Sequence, residues 1–265
     1  MNILLAFLVI TIMGLILGIG LAFAAKKLAV AKDQKQIDIE NALPNANCGG
    51  CGYPGCAGYA EACAKGECAL NLCAPGGSEV AKKIGEIMGQ VVETSDVKKV
   101  AYVFCNGDCD KTKKDFDYEG ITDCNAAALL FDGDLSCKEG CLQLGSCIEV
   151  CPVDAISKKE NGQIEVDPKL CIGCGKCVDI CPHNVIKLID DNSEYVVKCN
   201  NHDSGAIVRK ICDAGCIGCQ ICVRKFPESG CSMDGFLSEF DNSKPHSQIE
   251  EAANACPKNC IVKRK

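Results

Sequence analysis

Cysteine is where this sequence concentrates its chemistry. It takes 25 of 265 positions, mostly in groups separated by two or three residues, and several are followed by Pro. That density marks either a disulfide framework or metal sites. The odd count leaves at least one thiol without an intrachain partner, and C-x2-C steps are a ligand spacing. The cysteines are therefore read as thiolate ligands of [4Fe–4S] clusters, whose chemistry is the movement of single electrons.

The first group runs Cys48-x2-Cys51-x4-Cys56, with Cys73 as a fourth thiolate after sixteen intervening residues. Gly49, Gly50, Gly52 and Gly55 let the backbone curl around a compact inorganic core and offer it N–H groups. Four thiolates suit a [4Fe–4S] cluster. They also suit zinc, although Cys73 lacks the close second pair common in zinc sites. Cys63 and Cys68 are left over, and Cys63 falls on a predicted helix, Ala57 to Ala64, as a buried thiol.

Residues 171–182 carry the C-x2-C-x2-C-x3-C-P run of two-cluster bacterial ferredoxins in full, as Cys171, Cys174, Cys177, Cys181 and Pro182. The upstream partner is looser: Cys137-x3-Cys141-x5-Cys147-x3-Cys151-Pro152. In such runs the fourth cysteine serves the other cluster. One cluster is then expected on Cys137, Cys141, Cys147 and Cys181, the other on Cys171, Cys174, Cys177 and Cys151.

A shift of 75 residues superposes a second copy without a gap. Cys124 falls on Cys199, Cys137 on Cys212, Cys141 on Cys216, Cys147 on Cys222 and Cys181-Pro182 on Cys256-Pro257. The copy's losses form a set. Phe226, His246, Ile249 and Ala252 stand where the first module has Cys151, Cys171, Cys174 and Cys177. Cys219 stands where the first module has Leu144. The copy keeps one site, Cys216, Cys219, Cys222 and Cys256. Four clusters result. Cys105, Cys109 and Cys124 leave room for a fifth, and Cys199, Cys212, Cys231 and Cys260 carry no assignment.

The elements that must position these ligands are short. Ile3 to Ala25 holds no charge and is long enough to span a bilayer. Ala22-Phe23-Ala24 fits a signal-cleavage pattern, but no Lys or Arg precedes the apolar run. Gly14 and Gly18 offer a packing face to another membrane helix. Lys26, Lys27, Lys32 and Lys35 follow the span, which puts the N-terminus outside and the bulk of the chain on the cytoplasmic side of the cell (inner) membrane. A reducing cytosol suits thiolates. The expected organisation is a transmembrane helix over 1–25, a charged helical stalk over 26–43, and a [4Fe–4S] domain over 44–94. A two-cluster ferredoxin-like module over 95–194 and a degenerate one-cluster module over 195–265 follow. The fold class is α+β. Ser78 is placed as the N-cap of a helix, and Val97 to Phe104 and Gln163 to Val166 as strands.

The net charge of −7 argues against non-specific nucleic-acid binding. No Walker loop, GxGxxG turn or nucleophile elbow occurs, so no catalytic site beyond electron transfer is expected. The order of parts resembles the B subunit of the Rnf complex: an N-terminal helix, the NCGGCGYPGC opening, the Cys73-Ala74-Pro75-Gly76-Gly77 segment and CPVDAI at Cys151 to Ile156. The resemblance covers nearly the whole chain. It implies the electron-input subunit of an ion-translocating ferredoxin:NAD+ (or other acceptor) oxidoreductase, with soluble ferredoxin as donor and flavin chemistry on other membrane-complex subunits. A membrane-tethered polyferredoxin serving a hydrogenase or other dehydrogenase is the alternative. Docking an acidic ferredoxin needs a basic patch, for which Lys258, Lys263, Arg264 and Lys265 are the candidates.

Overall fold

The computed structural model describes residues 2–28, 33–93 and 97–264. Helix α1, Asn2–Leu28, carries no charge from Ile3 to Ala25, with a mean hydropathy of 2.6 over Phe7–Ala24 and none of that stretch buried. It is the one helix among the described residues long and apolar enough to cross a membrane. Lys32, one of the flanking cations, lies outside the described residues.

The expected stalk is a structural part of the first cysteine domain. Helix α2, Gln34–Ala42, packs against α3, Gly55–Lys65, and α4, Gly77–Met88. Ile39 and Leu43 close a core with Tyr59, Ala60, Cys63 and Ile84. The helix is mostly polar, and Ile39 with Leu43, its C-cap, turn toward this hydrophobic surface. Helix α4 starts one residue before the expected cap. Gly76 occupies the N-cap position and Ser78 lies inside the helix.

Two further modules follow. In the first, β1, Lys99–Val103, pairs antiparallel with β4, Ile186–Asp190, in the register Val100↔Ile189. Between them lie α5, Cys124–Ala128, then α6, Ser146–Glu149, the hairpin of β2, Ile156–Lys158, with β3, Ile164–Val166, and α7, Lys176–Asp179. The second begins with β5, Tyr195–Val197, and continues with α8, Gly205–Ile211, and α9, Ile221–Arg224. The hairpin of β6, Cys231–Asp234, with β7, Leu237–Phe240, is followed by α10, Ile249–Asn254, and β8, Ile261–Lys263, which pairs with β5. The 75-residue shift carries α6 onto α9, the β2–β3 hairpin onto β6–β7, and β4 onto β8. It does not carry β5 onto a strand. The first module draws its pairing strand from further upstream, and the connection to α5 holds Cys105 and Cys109.

That connection ties the modules together. Asp213 N donates to Lys111 O at 2.8 Å, Lys113 N donates to Ile211 O at 3.2 Å, and Thr112 bridges Cys212. At the chain's end the basic residues are held rather than free. Arg264 donates to Asp190 O and Ser193 O at 3.1 and 2.9 Å and lies over the Tyr102 ring, its side chain only 11% exposed. Lys263 stands over Tyr195, and Lys258 donates to Asp213 O. Of the candidate docking residues, Lys263 thus ends strand β8 and Arg264 follows it, while Lys265 lies outside the described residues.

Candidate metal centres

Every cysteine among the described residues is a free thiol. Around one zinc ion, four sulfurs at about 2.3 Å would sit within about 4 Å of one another. No three His, Cys, Asp or Glu side chains among the described residues converge on a single-ion site. The thiols line cavities, a placement that suits iron–sulfur clusters.

Cys48, Cys51, Cys56 and Cys73 line one such cavity, of about 310 Å³ with its mouth, beside Leu43, Gly49 and Gly55. Asn47 sits at φ +47°, and its Oδ1 accepts from Cys56 N at 2.9 Å, which closes the loop that carries the first three thiols. Tyr59 Oη donates to Ala69 O at 2.9 Å and accepts from Leu72 N at 3.2 Å, pinning the strand of chain that delivers Cys73. Cys63 is fully buried, with its Sγ 3.0 Å from that of Cys68, and neither lines the cavity.

In the first module Cys151, Cys171, Cys174 and Cys177 are neighbours, with Cys171 and Cys177 buried in the core. Burial pushes the Cys177 thiol up to about 12, and the neighbouring Cys171, Cys174, Cys147 and Cys151 add to it. Ala101 N donates to Cys171 Sγ at 3.4 Å, and Ala155 N to Cys151 Sγ at 3.3 Å. The same +4 bond recurs in the second module, where Cys260 N donates to Cys256 Sγ at 3.4 Å. The cause is local. Each Cys-Pro step is followed by Asp154, Asn184 or Asn259 at φ +51°, +52° and +51°, and Asn and Asp are the non-glycine residues that most readily enter that region. The turn aims the next N–H back at sulfur.

The other expected set of this module is not brought together. Cys141, Cys147 and Cys181 share a cavity of about 360 Å³, but the fourth thiol on its wall is Cys124. Cys137 lines a different cavity. Leu144 removes the middle cysteine of the regular run, and α5 supplies the replacement. Asp123 caps α5 by accepting from Ala126 N at 2.8 Å, and Ser146 Oγ donates to Asp123 Oδ2 at 2.8 Å while accepting from Cys124 N at 2.7 Å. Asn125 Nδ2 reaches Ile180 O at 3.1 Å. These bonds fasten α5 to α6 and to the Cys181 turn. The equivalence of Cys124 and Cys199 was the only trace of this in the sequence.

In the second module Cys216, Cys219, Cys222 and Cys256 line one cavity of about 390 Å³, together with Cys260. Cys260 is the odd member. Its Sγ donates to Ala214 O at 3.3 Å. The adjoining Cys260 thiol holds the Cys216 and Cys256 thiols down to about 6 and 5 and is itself pushed strongly upward. Cys231 does the same for Cys222, which is lowered to about 7.

The centres adjoin. A Cβ built on Gly50, in the first domain, would lie 2.2 Å from Cys174 O, so the backbones of the two cysteine loops touch. Cys147 and Cys177 lie within electrostatic reach of each other. Cys105, Cys137, Cys199 and Cys212 line a further cavity at the junction of the two modules, and Gly140 borders both it and the Cys124 cavity. Cys109 is exposed and borders none of these cavities.

Comparison with known proteins agrees with this chemistry. A family model described as an Fe-S cluster domain matches residues 43–75, and one described as the LdpA Fe-S cluster-binding domain matches residues 137–192. The chain is 40% identical over 253 residues to the B subunit of the Na(+)-translocating ferredoxin:NAD(+) oxidoreductase complex of Acetobacterium woodii, covering 96% of this chain and 75% of the relative. It is 37% identical to the B subunit of the ion-translocating oxidoreductase complex of Methanosarcina acetivorans, covering 95% of each chain. The B subunit of the proton-translocating ferredoxin:NAD(+) oxidoreductase complex of Clostridium ljungdahlii is 39% identical, with 96% of this chain and 89% of the relative covered.

Proposed function

This chain belongs to the B-subunit family of Rnf-type ion-translocating oxidoreductase complexes and carries electrons through iron–sulfur centres, and from that premise we propose the donor, the ligand sets and the sidedness. Reduced soluble ferredoxin is the donor, as the names of two relatives suggest. The thiol sets Cys48/Cys51/Cys56/Cys73, Cys151/Cys171/Cys174/Cys177, Cys124/Cys141/Cys147/Cys181 and Cys216/Cys219/Cys222/Cys256 each hold a [4Fe–4S] cluster. Cys124 replaces Cys137 in the third. The last two modules are tandem ferredoxin-like units, one with two of these clusters and one with a single survivor.

The observation that carries this reading is continuity. Thiol-lined cavities stand in the first domain, whose Gly50 abuts Cys174, in the first module and in the second, with the junction cavity between the two modules. A cluster supplies a one-electron site at each. The protein supplies the N–H donors to sulfur, the glycine-lined approach and the exclusion of water, all of which set potential. Helix α1 anchors the chain, with the lysines that follow it placing the cluster domains on the cytoplasmic side. The electrons leave to membrane-embedded and flavin-bearing subunits of the same complex.

The test is anaerobic purification of the full chain, with iron and acid-labile sulfide counted and reduction by ferredoxin followed optically. Wild type should show low-potential [4Fe–4S] signals reducible by ferredoxin. Cys124→Ser should lose one cluster's signal from the Cys141/Cys147/Cys181 site. A colourless, iron-free chain would end the proposal.

A further inference from the structure

The cavity at the junction of the two modules belongs to none of the sets above. Two of its four thiols come from the first module, Cys105 after β1 and Cys137, and two from the second, Cys199 after β5 and Cys212 at the end of α8. Cys137, Cys199 and Cys212 are buried and Cys105 half-buried. With its mouth the cavity measures about 390 Å³, the same as the Cys216 cavity.

Three features mark it as a built site. Side chains and backbone donate to its sulfurs, as they do in the other sets: Asn201 Nδ2 to Cys137 Sγ at 3.4 Å, and Cys216 N to Cys199 Sγ at 3.3 Å. Glycines line its wall where a side chain would not fit. A Cβ on Gly140 would lie 3.3 Å from Cys137 Sγ, one on Gly107 2.4 Å from Thr112 Cγ2, and one on Gly215 2.6 Å from Val208 Cγ1. Lys198 also borders the cavity, a cation beside a group of thiolates.

The internal repeat explains how the site arose. Cys124 and Cys137 of the first module correspond to Cys199 and Cys212 of the second. The first module lacks a middle cysteine at Leu144, so Cys124 is drawn into its own cavity. The second has Cys219 there, which releases Cys199 to face the junction. Cys137 and Cys212 face it from both sides, and Cys105 completes the four from the connection that the second module does not have.

We propose that Cys105, Cys137, Cys199 and Cys212 hold a fifth [4Fe–4S] cluster that bridges the two modules. It lies between the Cys124 cavity, with which it shares Gly140, and the Cys216 cavity, whose Cys216 N–H contacts Cys199. Without it, the last cluster stands apart from the others. With it, five centres form one unbroken line, with the cluster of the first domain at one end and that of the second module at the other.

The inference rests on the other four sets holding clusters, and one measurement separates the two claims. Iron and sulfide are counted on the full chain, purified anaerobically in detergent. Five clusters give about 20 iron per chain and four give about 16, at four iron each. About 20 is expected, with Cys212→Ser and Cys105→Ser each losing about a fifth of the iron and Cys109→Ser losing none. About 16 in wild type, or zinc in place of the missing iron, overturns the fifth cluster and leaves the four. Iron near zero overturns both. Where a variant fails to fold, the wild-type count together with the number of reduced-cluster spins by electron paramagnetic resonance decides the question.

Discussion

Gly50→Ala is the most incisive perturbation of the relay, because it acts at one contact between two cluster loops. The new Cβ would sit 2.2 Å from Cys174 O, 3.1 Å from its carbonyl carbon and 3.3 Å from its Cα. All three are backbone atoms, so no flexible side chain can give way. Ordinary contact begins at 3.4 Å, and one loop must retreat by about 1.2 Å, the difference between 3.4 and 2.2 Å. Overpacking of this kind costs about 1–3 kcal/mol where it is absorbed in place. The core of the first domain, around Ile39, Tyr59 and Ile84, does not touch the new methyl, so the cheaper response is for the first domain to move away from the module. Iron content should therefore stay at the wild-type value. The magnetic coupling between the Cys48 and Cys174 clusters in the reduced protein should weaken, and electron exchange between the first domain and the rest should slow. Rapid-freeze electron paramagnetic resonance after mixing with reduced ferredoxin reads both. Unchanged coupling and an unchanged distribution of electrons would refute the placement of these two centres side by side.

Three further outcomes are expected. A chain begun at Asp33 should fold like the full protein, whereas one begun at Pro44 loses Ile39 and Leu43 from the core of the first domain. Removing such side chains costs about 2–5 kcal/mol each, and thermal unfolding followed at the visible cluster absorption should show the difference. Arg264→Ala should lower stability by about 1–3 kcal/mol through the loss of its bonds to Asp190 O and Ser193 O, measured by denaturant unfolding, while ferredoxin reduction rates stay near wild type. In the iron-free chain thiol reactivity should follow the same order as thiolate content. Burial holds the Cys147 and Cys177 thiols up at about 12, whereas Cys216 and Cys256 are held down to about 6 and 5 beside the Cys260 thiol. Alkylation near neutral pH should therefore label Cys216 and Cys256 before Cys147 and Cys177, read by peptide mass spectrometry.

Much of the organisation was legible in the chain itself. Covalent spacing placed Cys48, Cys51 and Cys56, then Cys171, Cys174 and Cys177, then Cys216, Cys219 and Cys222 each on one loop, because C-x2-C steps are local and the backbone can satisfy only a few geometries over such distances. The 75-residue repeat pointed to a single site of the paired kind in the second module. An uncharged run determined the apolar helix α1. Tertiary structure decided the rest. Whether Cys124 or Cys137 completes the set with Cys141, Cys147 and Cys181 depends on Asp123 and Ser146 joining α5 to α6, two hydrogen bonds between residues 22 and 23 positions apart in sequence. Helix α2 reads as a charged stalk until Ile39 is seen buried beneath α3 and α4. Lys258, Lys263 and Arg264 read as candidates for one basic patch, and only the fold shows Lys258 bonded to Asp213 O, Lys263 over Tyr195 and Arg264 against Tyr102. The four thiols at the junction share no motif at all. They come from positions 105, 137, 199 and 212, and only the packing of one copy against the other brings them to a common cavity. A spacing rule works within one loop, where the chain fixes the distance. Between modules the distance is fixed by packing, and packing is not written in any one stretch of sequence.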